Sequence, residues 1–185
     1  MVELSGVSFG YQSDKNVLDN LNLRMEEGRF YGLLGMNGSG KTTLLKLIAG
    51  KLFAHGGEIY VDGRNLRERD VETLQKVFML PADFIFPNMS LEQFLAIYSE
   101  FYPEFRKEVL NDCLVNFEIQ RDIKNLNQLS LGEKHKVAFS IALSLGTKIV
   151  LLDEAANGMD IPARKMFRKL LMKHVREDQI VVLST

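Results

Sequence analysis

One run of residues in this 185-residue chain carries more chemistry than any other: Gly35-Met36-Asn37-Gly38-Ser39-Gly40-Lys41-Thr42. It fits the pattern G-x-x-x-x-G-K-[ST]. Glycines at those places let a backbone curl until its N–H groups converge on an anion. A helix opening at Lys41 adds its positive end to the same point. Lys41 would bring a full charge to the outer phosphates of a nucleotide, and Thr42 a hydroxyl to Mg²⁺. Asn37, Gly38, Ser39, Gly40 and Thr43 complete this candidate nucleotide site.

A second run, Lys148-Ile149-Val150-Leu151-Leu152-Asp153, is an apolar strand ending in a carboxylate. Asp153 would share Mg²⁺ with Thr42. Glu154 follows directly and could polarise an attacking water as general base, with Lys41 as the other catalytic residue. Alone, this run would read as a strand before an acidic turn; paired with the glycine loop it reads as a metal-binding strand end.

Both runs need a scaffold. Residues 2–9, 18–24, 30–35 and 77–80 read as strands, with a polar turn at 13–16. Residues 41–49 have helical apolar spacing and stop at Gly50, a natural residue to follow a helix. Glu58–Val61 followed by Asp62-Gly63 reads as a hairpin-like edge. From Ser90 the pattern turns helical. Ser90 with Gln93 forms a capping box, Pro103 ends that helix, and 104–117 and 131–145 read as the next two. Residues 148–152 and 180–184 then read as strands, on either side of a helix at 162–175. This order predicts a parallel α/β core carrying an inserted helical subdomain.

Leu129-Ser130-Leu131-Gly132-Glu133 resembles the signature LSGGQ of the ATP-binding cassette (ABC) family. It stands about twenty residues before the Asp153 strand, where that family keeps it. Ser130 with Glu133 also spells an ordinary capping box, and the two readings are compatible. Tyr11 matches the aromatic that stacks on adenine in the family, and Asn157-Gly158-Met159-Asp160 matches its D-loop. The resemblance spans the whole chain with the motifs in order.

The resemblance implies a P-loop NTPase fold of ABC type: a parallel sheet with helices, a small antiparallel β part and a helical insertion. The α/β core would occupy 1–82 and 147–185, and the helical part about 83–146. It implies ATP and Mg²⁺ as ligands, bound in a head-to-tail dimer of this chain or with a paired ATPase subunit. Ser130 and Gly132 would face the γ-phosphate held by the opposite subunit. Hydrolysis would drive solute transport, in the export direction, through a separate transmembrane permease, with this chain on the cytoplasmic face of the cell membrane. Two other functions fit the same motifs: a soluble ABC ATPase of translation or DNA repair, and a low-turnover dimerisation module gated by ATP.

The sequence departs from the family pattern in places. Ala82, followed by Asp83, stands where the Q-loop glutamine is expected. Leu131 replaces a signature glycine, and Ala155-Ala156 replaces Pro-Thr. The chain ends at Thr185, one residue before the place of the switch histidine and without the helix that covers the last strand in the family. The expectation is that the natural chain continues.

Bulk properties narrow the field. A net charge of −1 gives no field for nucleic acid, and none is expected as a partner. The single cysteine, Cys113, excludes an internal disulfide framework and reads as a packed thiol. Residues 1–11 lack the basic and apolar regions of a signal peptide. His55, His135 and His174 show no ligand spacing. Met25, Met36, Met79, Met159 and Met166 read as core or loop fillers. The aromatics between Phe84 and Phe105 read either as a subdomain core or as a groove for a helix of the membrane partner, and both stay open.

Overall fold

The computed structural model describes residues 1–12 and 15–185. Of the turn expected at 13–16, Ser13 and Asp14 lie outside the described residues. The elements run β1 (Val2–Phe9), β2 (Leu18–Met25), β3 (Arg29–Leu33), α1 (Lys41–Ile48), β4 (Gly56–Val61), β5 (Arg64–Asn65), α2 (Val71–Gln75) and β6 (Val77–Leu80). They continue as α3 (Leu91–Phe101), α4 (Lys107–Asn116), α5 (Leu131–Ser144), β7 (Ile149–Asp153), α6 (Ile161–His174) and β8 (Ile180–Ser184). They form two compact units: Met1–Met79 with Lys148–Asp153 and Glu177–Thr185, and Leu80–Thr147 with Glu154–Arg176.

The first unit holds two sheets. One is antiparallel, in the order β2-β1-β4-β5; the other runs β3-β8-β7-β6, with β8 parallel to both its neighbours. β7 is buried at every position, as expected of a parallel strand covered on both faces. In β1, Val2 and Leu4 point inward while Glu3 and Ser5 face out, so only one face is covered. Side chains of α1, led by Leu45, Leu47 and Ile48, close a core with Ile149, Leu151 and Val182. α1 stops where Gly50 takes φ 65°, a conformation that ends helices at low cost. The register aligns Asp153 and Leu33 on either side of Ser184, so the ends of β7 and β8 set a carboxylate and a hydroxyl side by side.

Asp62, in the β4–β5 turn, accepts bonds from the Met1 amino group, Lys76 and Lys148. Burial works to raise its pKa, but these three cations outweigh burial and hold it well below the ordinary carboxylate value.

In the second unit α4, α5 and α6 share an aromatic core, with Phe139 4.1 Å from Phe167 and 6.0 Å from Phe117, centroid to centroid. Cys113 is fully buried beside it, and burial pushes its thiol pKa up to about 12. The Ser90–Gln93 capping box opens α3 as the sequence predicts. α4 begins later than expected, at Lys107 rather than 104. Arg106 is extended, and its N–H donates to the Ser144 carbonyl at 2.7 Å. The Glu104 carbonyl lies against Gly146, 2.2 Å from where a Cβ would stand, so residues 104–106 are spent on that close approach. The rings of Phe84, Phe86, Phe94, Tyr98 and Tyr102 form a contiguous ladder. Phe86 and Phe94 are buried, whereas Phe101 is 60% exposed. Among the described residues no helix is long and apolar enough to cross a membrane.

Candidate functional site

The loop Gly35–Thr42 links β3 to α1, as its spacing predicts. Gly38 and Gly40 have φ of 83° and 93°, values that side chains rarely tolerate. A Cβ on Gly38 would meet nothing, so the requirement there is conformational and the approach is open. At Gly40, the first cap of α1, a Cβ would press on Val17 and Leu18 at 3.1 Å. The first turn of α1 carries no acidic residue to oppose an anion. Lys41 Nζ folds back onto the loop, donating to the carbonyls of Gly35 at 2.6 Å and Met36 at 3.2 Å. Asn37 and Ser39 are exposed along the same loop.

Asp153, at the end of β7, is 1% exposed and accepts from two hydroxyls: Thr42 Oγ1 at 2.8 Å and Ser184 Oγ at 2.5 Å. A hydroxyl and a carboxylate in contact are the hard oxygen donors that Mg²⁺ takes from protein, so these residues fit that ion. Thr42 and Asp153 would hold it. Among the described residues there is no larger His/Cys/Asp/Glu cluster of metal-binding type. The sequence reading missed Ser184. The available signal was a hydroxyl ending an otherwise apolar strand, but its meaning depends on the register that sets it beside Asp153.

Tyr11 is 62% exposed, braced edge-on by Phe9 at 5.1 Å and bonded through its hydroxyl to Thr43 Oγ1 at 3.2 Å. With Gln12, Lys15, Val17, Gly38 and Ser39 it lines an open cleft of about 370 Å³. Tyr11 and the glycine loop, 24 residues or more apart in sequence, thus share one cleft.

Ser130, Gly132 and Glu154 belong to the second unit. Ser130 caps α5: Glu133 N–H donates to Ser130 Oγ at 3.3 Å, while Ser130 N–H and hydroxyl donate to Glu133 Oε2 at 2.9 and 2.7 Å. These bonds to Ser130 lower the Glu133 pKa. Glu154 has φ 47° and begins a turn through Asp160, which caps α6 through Ala163 N–H at 2.7 Å. Its carboxylate accepts from Asn157 Nδ2 at 2.6 Å. Gly132 lies against this turn: the Gly158 carbonyl is 3.6 Å from the place of a Gly132 Cβ. Ala82 and Asp83 are exposed near the start of the unit.

A parallel sheet whose strand ends carry a glycine loop, a helix N-terminus and a buried aspartate is the architecture of the P-loop nucleotide-binding proteins. Comparison with known proteins narrows the class. The ABC transporter family model matches residues 18–157. An ABC transporter ATP-binding protein, YtrB of Bacillus subtilis, is 30% identical over 185 residues, covering 100% of this chain and 63% of its own length. An ABC transporter ATP-binding protein of Methanocaldococcus jannaschii is 34% identical over 98% of this chain and 70% of its own length. Among solved structures, an ATP-binding cassette in a dimeric post-hydrolysis state bound to ADP and Pi superposes with a TM-score of 0.84 at 27% identity, covering 100% of this chain and 88% of that one. The chain belongs to the ABC transporter family. It spans under two thirds of the length of the Bacillus relative.

Proposed function

We propose that this chain binds and hydrolyses Mg-ATP in a head-to-tail dimer, and that hydrolysis powers solute export through a separate membrane permease on whose cytoplasmic side it docks. The observation that carries the reading is the cleft in which the Tyr11 ring and the Gly38–Ser39 backbone line one space. An adenine on the ring would leave its phosphates to the loop; a base stacked on an aromatic gains about 1–3 kcal/mol. Lys41 would turn from the Gly35 and Met36 carbonyls to the outer phosphates. Mg²⁺ at Thr42 and Asp153 would offset charge developing on those phosphates. Glu154 would orient and deprotonate the attacking water. The capped start of α5, with Ser130 and Gly132, would receive the γ-phosphate of a second copy. Losing that phosphate would loosen the dimer, which is the change a permease could use.

The test is calorimetric titration of Mg-ATP into the wild-type chain and Lys41→Ala. A fall in affinity of about 100-fold is expected, since a full charge leaves a phosphate site. Equal affinity would remove the nucleotide site from residues 35–42. Co-purification with a polytopic membrane protein supports the transport half of the reading, and recovery with ribosomes or DNA replaces it. Ala82 favours a second reading, an ATP-gated dimer with little turnover. A wild-type dimer that persists for hours with ATP would select it.

A further inference from the structure

His135 lies on the second turn of α5, half-buried, and the nucleotide reading gives it no task. Its ring has the Ala155 backbone as its polar neighbour. Its Cδ2 stands 3.5 Å from the place of a Cβ on Gly158, and Leu131 reaches the same point at 3.6 Å. One face of α5 therefore lies along the turn that carries Glu154.

That turn has reason to need support. Glu154 occupies the left-handed backbone region, which L-residues other than asparagine and aspartate rarely enter. Ala155 and Ala156 add neither a rigid ring nor a polar side chain. The turn is fastened from within and behind: Asn157 bonds the Glu154 carboxylate and, at 2.9 Å, its carbonyl, while Arg164 Nε holds the Met159 carbonyl at 3.0 Å. At Ala155, which is 4% exposed, the polar neighbour is the His135 ring, whose Cδ2 also lies beside Gly158. Burial lowers the histidine pKa more than the Ala155 backbone raises it, which favours the uncharged ring.

We propose that His135 is a positioning residue for Glu154, tying the first turns of α5 to the turn at 155–158 so that Ser130 and the carboxylate are held by one shared contact. The proposal rests on the ATPase reading above for its catalytic half. Its structural half stands without nucleotide.

Two measurements on the full chain test it. In amide hydrogen exchange without nucleotide, His135→Ala should speed exchange at 155–159 by about tenfold. His135→Gln, whose amide N–H can reach the same carbonyl, should stay within about twofold of wild type. In steady-state ATP hydrolysis, His135→Ala should lose about tenfold in kcat with KM changed less than about twofold, and His135→Gln should recover most of the loss. If His135→Ala does not fold, His135→Asn, too short to reach Ala155, takes its place with the same expectation. Unchanged exchange and kcat in the short variants would overturn the proposal. So would equal damage in the glutamine variant, which would make His135 a packing residue. A wild-type chain without turnover would remove the ATPase reading, and the exchange data would still decide the brace.

Discussion

In the loop Gly35–Thr42 the left-handed positions are glycines, Gly38 and Gly40; in the turn after β7 they are Glu154, at φ 47°, and Gly158, at 74°. The first loop needs little from its neighbours to keep its shape, because its backbone adopts those angles without penalty. The second places a glutamate where a glycine would be easy, ties its carboxylate to Asn157, and holds the rest of the turn through Arg164 at Met159 and Asp160 at Ala163. A binding loop can be made of backbone, since any anion meets the same N–H groups. A carboxylate that must reach one water, the part proposed for Glu154, cannot, because a side chain must stand there and something must hold it.

The glycine loop should be most sensitive at Gly40. Gly40→Ala adds a Cβ at φ 93°, against Val17 and Leu18. It should cost about 2–3 kcal/mol, read as a shift in the urea midpoint. An unchanged midpoint would mean that the loop is not built on its glycines. Ser184→Ala asks whether the first unit also relies on a side-chain brace. Buried Asp153 would lose one of its two hydroxyl donors, for about 1–2 kcal/mol, and Ser184→Thr should restore most of that. No loss would leave Thr42 as the sufficient partner.

Asp62→Asn gives the smallest effect, about 0.5–1 kcal/mol at pH 7, because its lysine partners are partly exposed. The sign of its pH dependence is fixed by its lowered pKa. The stabilisation is complete above the unfolded value near 4 and is lost as pH falls through the folded one. The gap between wild type and variant should therefore hold from pH 7 to about 5 and narrow progressively as pH falls below about 4. A constant gap to pH 2 would show that charge at Asp62 contributes nothing.

The same contrast explains which features are legible in the sequence. Glycine spacing at 35–42, the capping boxes at Ser90 and Ser130 and the aspartate closing β7 are local requirements written in adjacent residues. Each can be read from residue types and spacing alone. α2 cannot, since five residues in a polar stretch give no period to detect, and only the Asp70 side chain capping Thr73 N–H at 2.9 Å marks its start. The late start of α4 depends on Gly146, forty residues away. Ser184 takes its meaning from strand register. His135, an ordinary histidine by its sequence surroundings, takes its place from a turn twenty residues later. Side chains that act by holding others leave no spacing of their own.

The core of the second unit also contains a stopwatch. The chain's sole thiol, Cys113, is fully buried and protonated at any ordinary pH, so a disulfide reagent in solvent can reach it only when the helices around it part. The rate of its modification, divided by that of an exposed thiol, counts how often α4, α5 and α6 come apart. That interval can be clocked in the native chain, without a single substitution, and compared with and without nucleotide.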